Sequence, residues 1–124
     1  MDERGPLLEW QWANYPAGHR DRRNLLVHAL TAPLFQVGTL ALLVSPFVSG
    51  WLAALGTGAI AATVVLQLRT HRLEQKSPAP FRGVGDVVAR FLAEQWFTFP
   101  RYVASGGFGE AWRSAPVERR PATR

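Results

Sequence analysis

Cysteine is absent from this chain of 124 residues. Its absence excludes disulfides, iron–sulfur clusters and thiolate zinc sites, and leaves the redox compartment undetermined. Charge is missing from the middle of the chain, since no Lys, Arg, Asp or Glu occurs in residues 24–68. A soluble domain rarely leaves so long a run without charge, whereas a bilayer needs about 20 apolar residues for each spanning helix. The uncharged run is therefore long enough for two spans joined by a tight turn.

A cleavable signal sequence is not expected at the N-terminus. Residues 1–6 (MDERGP) are polar and acidic, the apolar run begins late, and no small-residue cleavage pattern follows it. We expect the first apolar helix to direct membrane insertion by itself.

Basic residues flank the uncharged run on both sides, and the formal net charge is +5. Arg22 and Arg23 stand just before the run, and Arg69 and Arg72 stand just after it. Basic residues in these positions are typical of interfacial anchors and topology signals, which predicts contact with membrane lipid. Because the turn between the spans carries no charge, the positive-inside rule predicts that both termini are cytoplasmic. No nucleic-acid partner is predicted, since no recognised binding motif or stacking platform is present.

The pattern predicts an all-α membrane protein, built as a two-helix transmembrane hairpin with flanking amphipathic, interfacial helices. The two spans are expected at about residues 24–45 and 51–70, and an interfacial helix at about 86–98. We expect a single membrane domain over residues 1–112. The remainder, residues 113–124, is rich in Arg, Pro and Ala and is predicted to be a disordered basic tail.

Local signals set the predicted boundaries of these elements. Asp21 and Asp86 are suited to cap the N-termini of the first span and of the interfacial helix. Pro46 lies in the predicted turn between the spans, and Pro100 is expected to end the interfacial helix. Residues 105–109 (SGGFG) are predicted to form a loop.

The interfacial helix is predicted from its amphipathic pattern. Its apolar residues fall mostly at three- and four-residue spacing, whereas Arg90 and Glu94 fall on the opposite face. The segment is too short and too polar to span a bilayer. We therefore expect it to lie in the interface or to fold over the mouth of the hairpin.

The three histidines of the chain are the most informative residues for function. His28 and His71 lie at similar distances from the turn, so a hairpin would return them to the same depth, with His19 nearby. Glu74 lies three residues after His71, and Asn24 lies four residues before His28, so each pair shares a helix face. The pattern brings imidazoles and a carboxylate to one membrane surface.

This combination of side chains allows two interpretations. Imidazole and carboxylate ligands without thiolate suit Fe(II), Mn(II) or Zn(II), and two histidines with one carboxylate form the pattern of non-haem iron sites. Alternatively, the histidines are merely solvated at the interface, and Glu74 pairs with a basic neighbour such as Arg72 or Lys76. Spacing alone leaves both interpretations open.

Two segments resemble the Mpo-like 2-hydroxy fatty acid dioxygenases. Residues 19–28 (HRDRRNLLVH) resemble the His-Arg-Asn-Pro-x-Asn-x-x-x-His segment of that family, and residues 74–81 (EQKSPAPF) resemble its Glu-x-Asn-x-Pro-Ala-x-Phe segment. The resemblance extends over about residues 12–112, including the order and spacing of the hydrophobic segments. One departure is that His71 lies three residues before Glu74, where the family usually has four. In addition, Lys76 and Arg22 replace an asparagine and a proline of the family pattern.

The resemblance implies a membrane enzyme that uses iron and molecular oxygen to shorten a 2-hydroxy fatty acid by one carbon. In that family pattern, His19, His28 and His71 would hold Fe(II), with Glu74 as a further ligand or an orienting group. Asn24 would hydrogen-bond the substrate or a ligand. The carboxylate of the fatty acid would pair with one of three arginines: Arg20, Arg23 and Arg72.

The competing interpretation is a non-catalytic membrane hairpin that serves as a scaffold or as a subunit of a larger complex. A transporter is disfavoured, because the interiors of the predicted spans contain no ionisable residue that would mark a pathway. Two spans would line such a pathway only in an oligomer, and the sequence leaves homo-oligomerisation open.

Overall fold

The computed structural model describes residues 4–116, and these residues form helices joined by short connections, with no strand among them. The predicted all-α class is therefore confirmed for this part of the chain. A three-residue 3-10 turn (Pro16–Gly18) follows the first helix, and a π turn (Glu94–Thr98) joins the fourth helix to the fifth. The α-helices are α1 (Leu7–Asn14), α2 (Arg22–Val48), α3 (Gly50–His71), α4 (Val84–Ala93), α5 (Phe99–Ala104) and α6 (Gly107–Ser114).

Helices α2 and α3 are both long and apolar enough to cross a membrane, with mean hydropathies of 1.6 and 1.7. The Asp21 carboxylate caps α2 by accepting a hydrogen bond of 2.8 Å from the Arg23 N–H, as predicted. Pro46, predicted to lie in the turn, is instead inside α2. Proline removes the N–H that would bond to the Leu42 carbonyl, but the Ser45 hydroxyl donates to that carbonyl at 2.8 Å. Ser49 alone therefore separates the two long helices.

The two long helices pack against each other through small and polar residues. A Cβ atom added at Gly56 would lie 2.5 Å from the Gly38 carbonyl oxygen, so the backbones approach very closely there. Further along, the Thr63 hydroxyl donates to the Thr31 carbonyl at 3.3 Å. Residues later in α3 contact residues earlier in α2, so the two helices run in opposite directions.

The helical run after Gly83 is longer than predicted and does not end at Pro100. Its cap is Gly83 with a φ of 133°, while Asp86 lies in the first turn and accepts a hydrogen bond from the Arg82 N–H at 3.1 Å. The run passes through the π turn and continues as α5 to Ala104. Pro100 lies in the first turn of α5, directly after the π turn, and does not end the run.

The segment after α5 is more helical than predicted. Only Ser105 and Gly106 separate α5 from α6, and Gly106 adopts a φ of 85° that favours glycine. Helix α6 then continues through Ser114, so the first residues of the predicted tail are helical. Residues 117–124 of that tail lie outside the described residues. The Arg22 Nε donates to the Trp112 carbonyl at 2.8 Å and thereby attaches α6 to the start of α2.

Candidate metal centre

Four side chains from separate parts of the fold converge at the polar ends of α2 and α3. His19 follows the 3-10 turn, His28 lies in α2, His71 ends α3, and Glu94 begins the π turn. One potential ligand atom from each side chain lies within 4.8 Å of the corresponding atoms of the other three. The structure thus brings together all three predicted histidines and adds a carboxylate that was not predicted. The geometry of this group, called the HHHE group below, could hold a metal ion.

Backbone carbonyls fix the orientation of two of these imidazoles. His19 Nδ1 lies 2.7 Å from the Tyr15 carbonyl oxygen, and His28 Nδ1 lies 2.9 Å from the Asn24 carbonyl oxygen. A carbonyl oxygen only accepts, so each Nδ1 must carry the proton and donate. In the neutral imidazole, each Nε2 then presents a lone pair, which is the form that ligates a metal.

The free ring nitrogens point at each other and at Glu94. The two Nε2 atoms of His19 and His28 are 3.4 Å apart, and they lie 3.5 Å and 3.0 Å from Glu94 Oε1. Three acceptor atoms at such distances repel one another unless protons or a cation lie between them. A divalent cation bound by all three would satisfy them together, so this donor set fits a metal ion.

His71 completes the HHHE group. Its ring centroid lies 4.9 Å from that of His19 and 5.1 Å from that of His28. Its Nδ1 is buried and has no hydrogen-bond partner. Buried polar atoms are almost always paired, so an unpartnered ring nitrogen in this position also fits a metal ligand.

Tyr15 supports two members of the group from one side. Its ring stacks on the His19 ring with centroids 3.7 Å apart, and its hydroxyl donates to Glu94 Oε1 at 3.0 Å. Burial raises the pKa of the Tyr15 phenol well above its usual value, and the Glu94 charge raises it further. The phenol therefore remains a hydrogen-bond donor at neutral pH.

Glu94 is a carboxylate despite its burial. Burial raises the pKa of a carboxyl group, but hydrogen bonds from the protonated imidazoles of His19 and His28 outweigh burial and hold the pKa of Glu94 well below its usual value; a bound cation would take the place of those protons. The ionised form is the one that ligates a metal and attracts a cation to the site.

Glu74, the carboxylate predicted from the sequence, lies outside the HHHE group. Its Oε1 accepts hydrogen bonds of 2.9 Å from the backbone N–H groups of Arg20 and Asp21 and from Asn24 Nδ2. Its Oε2 also accepts from the Arg20 N–H, at 2.9 Å. These bonds attach the segment that carries His19 to the end of α3. Glu74 was predicted to be either a metal ligand or an orienting group, and its position outside the HHHE group favours the orienting role.

Asn24 is likewise placed between structural partners. Its side chain is fully buried, donates to Glu74 and accepts from the Thr70 hydroxyl at 2.7 Å. Its backbone carbonyl accepts a hydrogen bond of 2.9 Å from His28 Nδ1.

A π turn explains why Glu94 was not predicted. In a regular helix over 86–98, Glu94 falls opposite the apolar residues, but the extra residue of the π turn changes the register. Gln95 is fully buried and exchanges hydrogen bonds of 2.8 Å and 3.0 Å with Gln67, which fixes this turn against α3. The only sequence signal for this register was the pair of polar residues at 94 and 95 within an apolar stretch.

A cavity of about 260 Å³ adjoins the HHHE group. His19, His71 and Glu94 form part of its wall, and most of the remaining wall is apolar. The three arginines predicted to bind a carboxylate, Arg20, Arg23 and Arg72, are absent from its lining. Arg23 instead forms an ion pair of 2.9 Å with Asp21.

Comparison with known proteins gives no match for this chain, whether to a protein-family profile, to a curated protein or to a solved structure. The interpretation of the centre therefore rests on its own geometry and chemistry.

Proposed function

We propose that this chain is an integral membrane enzyme whose HHHE group holds Fe(II) and oxidises a fatty acid with molecular oxygen. The resemblance to the 2-hydroxy fatty acid dioxygenases supplies the proposed reaction, in which a 2-hydroxy fatty acid and molecular oxygen give the fatty acid one carbon shorter, carbon dioxide and water. The convergence of the Nε2 atoms of His19 and His28 on Glu94 Oε1, at 3.4, 3.5 and 3.0 Å, is the observation that carries the proposal. Nitrogen and oxygen donors without thiolate suit Fe(II).

The surface of α2 and α3 supports a transmembrane hairpin. Large apolar side chains point outward along both helices, and Leu43, Phe47 and Trp51 near the turn are 69%, 88% and 78% exposed. Soluble proteins rarely expose contiguous apolar surface on this scale, whereas lipid would cover it without cost. Basic residues at the other ends of both helices support a topology with both termini in the cytoplasm, by the positive-inside rule.

The cytoplasmic ends of the hairpin would then carry the metal centre at the membrane surface. Bound Fe(II) would supply the binding and reduction of molecular oxygen, which no side chain of this protein can perform. His19, His28, His71 and Glu94 would hold the ion, and Tyr15 would orient His19 and Glu94. Phe99, whose ring centroid lies 6.0 Å from that of His28, packs with Tyr15 and Tyr102 in the core beside the centre.

Turnover by the reconstituted protein tests this proposal. The full chain is purified in maltoside, loaded anaerobically with Fe(II) and incorporated into nanodiscs with 2-hydroxypalmitate. We expect oxygen-dependent formation of the fatty acid one carbon shorter, and its loss in Glu94→Gln and His28→Ala. A matched variant, Glu9→Gln, alters an exposed carboxylate of α1 outside the group and should retain activity. Iron bound without turnover of any 2-hydroxy fatty acid would contradict the proposed reaction, and absence of bound iron would favour the non-catalytic hairpin.

A further inference from the structure

The cavity beside the HHHE group contains two cationic side chains, Lys76 and Arg90. The Arg90 guanidinium already contacts several groups of the fold. Its Nη1 donates to the carbonyls of Ala79 and Pro80 at 2.9 Å and 3.3 Å, and it lies 4.2 Å above the Phe81 ring centroid. It also lies 3.7 Å from the Asp86 carboxylate. Arg90 therefore fastens residues 79–81 to α4 and has little capacity left for a ligand.

Lys76 is in the opposite situation. Lys76 is exposed and lines the cavity, and its side chain forms no hydrogen bond or ion pair with any residue that the structure describes. An ammonium group without a structural partner gains energy from an anionic ligand without breaking a contact of the fold.

The rest of the cavity wall defines what such a ligand would look like. Phe81, Phe91 and Leu68 supply apolar surface, and the HHHE group supplies the reactive end. Leu68 is 40% exposed on the apolar outer surface of α3, so the cavity reaches the surface that lipid would cover. An amphipathic monoanion with an acyl chain complements this combination of an apolar wall and a single free cation.

We propose that Lys76 is the residue that binds the carboxylate of the fatty acid substrate, in place of the predicted arginines Arg20, Arg23 and Arg72. The acyl chain lies along Leu68, Phe81 and Phe91 and continues toward lipid. This inference rests on the proposed function for the class of substrate. In this arrangement Lys76 selects an acid over a neutral lipid. It also positions the carbon next to the carboxylate near the HHHE group.

Binding of cis-parinaric acid and of its methyl ester tests the assignment without requiring turnover. The full chain is loaded with redox-inert Zn(II) in maltoside micelles, and energy transfer from tryptophan reports binding, since Trp10 lines the cavity. Lys76→Gln is compared with wild type, with the charge-retaining Lys76→Arg, and with Arg69→Gln. Arg69→Gln removes the same charge from an exposed position of α3 outside the cavity. Zinc content is measured on the same samples.

We expect Lys76→Gln to weaken binding of the acid about tenfold while binding of the ester changes little, because only the acid carries a charge for Lys76. Lys76→Arg should restore most of the affinity, and Arg69→Gln should match wild type. Equal affinities of wild type and Lys76→Gln for the acid would overturn the assignment, as would equal losses for acid and ester or an absence of binding to wild type. Failure of the proposed metal centre appears separately, as zinc missing from the wild-type protein.

Discussion

Tyr15 and Glu94 lie 79 residues apart in the sequence, yet the Tyr15 hydroxyl donates a hydrogen bond of 3.0 Å to Glu94 Oε1. This bond joins the end of α1 to the π turn, and the Tyr15 ring stacks on His19 at the same time. One side chain therefore orients an imidazole and the carboxylate of the HHHE group. Partners of this kind set the geometry of a metal site and commonly contribute to its affinity.

Removing the Tyr15 hydroxyl should weaken metal binding without disrupting the fold. Tyr15→Phe keeps the stacked ring and loses only the bond to Glu94, so we expect the affinity for Zn(II) to fall about tenfold in chelator competition. Tyr102→Phe is the control, because Tyr102 is buried beside Tyr15, with ring centroids 5.0 Å apart, and has no bond to Glu94. Equal affinities of Tyr15→Phe and wild type would show that the hydroxyl does not orient the site.

The two carboxylates, Glu74 and Glu94, should respond differently to the same change. Glu94→Gln removes a ligand, so metal binding should be largely lost. Glu74→Gln weakens the hydrogen bonds that hold the Arg20 and Asp21 backbone, so we expect a lower stability, by about 1–3 kcal/mol, with metal still bound. Metal content and detergent-micelle unfolding of each variant separate the two roles. Loss of metal from Glu74→Gln together with its retention by Glu94→Gln would reverse our assignment of the ligand.

The close approach of α2 and α3 makes a paired glycine experiment informative. Gly56→Ala would place a Cβ atom 2.5 Å from the Gly38 carbonyl oxygen, so the helices must separate, at a cost of about 1–3 kcal/mol. Gly58→Ala introduces the same methyl group where no atom lies within 4 Å, and it should be neutral or slightly stabilising. Titration with dodecyl sulfate in mixed micelles measures both. Equal stabilities of the two variants would contradict the packing described for α2 and α3.

Protonation of the Asp86 carboxylate should destabilise the protein in acid. Burial raises its pKa, but hydrogen bonds from the Arg82 N–H and from Arg4 outweigh burial and lower the pKa below its usual value. Because the pKa of Asp86 is lower in the folded state, the ionised carboxylate stabilises the fold fully above the unfolded-state pKa, about 3.9. That stabilisation is lost as the pH falls through the folded-state pKa. The difference in melting temperature between wild type and Asp86→Asn should therefore shrink below about pH 4. A difference that stays constant across this range would contradict the ion pairing of Asp86.

The sequence was sufficient to predict the parts of the fold that depend on hydropathy and on distance along a helix. The uncharged run defined α2 and α3, and equal distances from the turn predicted that His28 and His71 would meet, with His19 beside them. Glu94 could not be predicted, since a π turn changes which side of a helix a residue faces and has no sequence pattern of its own. The role of Glu74 was hidden for a different reason. Its partners are mainly backbone N–H groups, which side-chain spacing does not reveal.

The metal content of the purified chain is the most direct measurement of the HHHE group. Wild type and the double variant His28→Ala with His71→Ala are purified in detergent, reconstituted anaerobically with Fe(II), desalted and analysed by mass spectrometry. Near-stoichiometric iron in wild type and none in the double variant is the result that we predict. An absence of metal from both proteins, or equal amounts in both, would contradict a metal centre formed by His19, His28, His71 and Glu94.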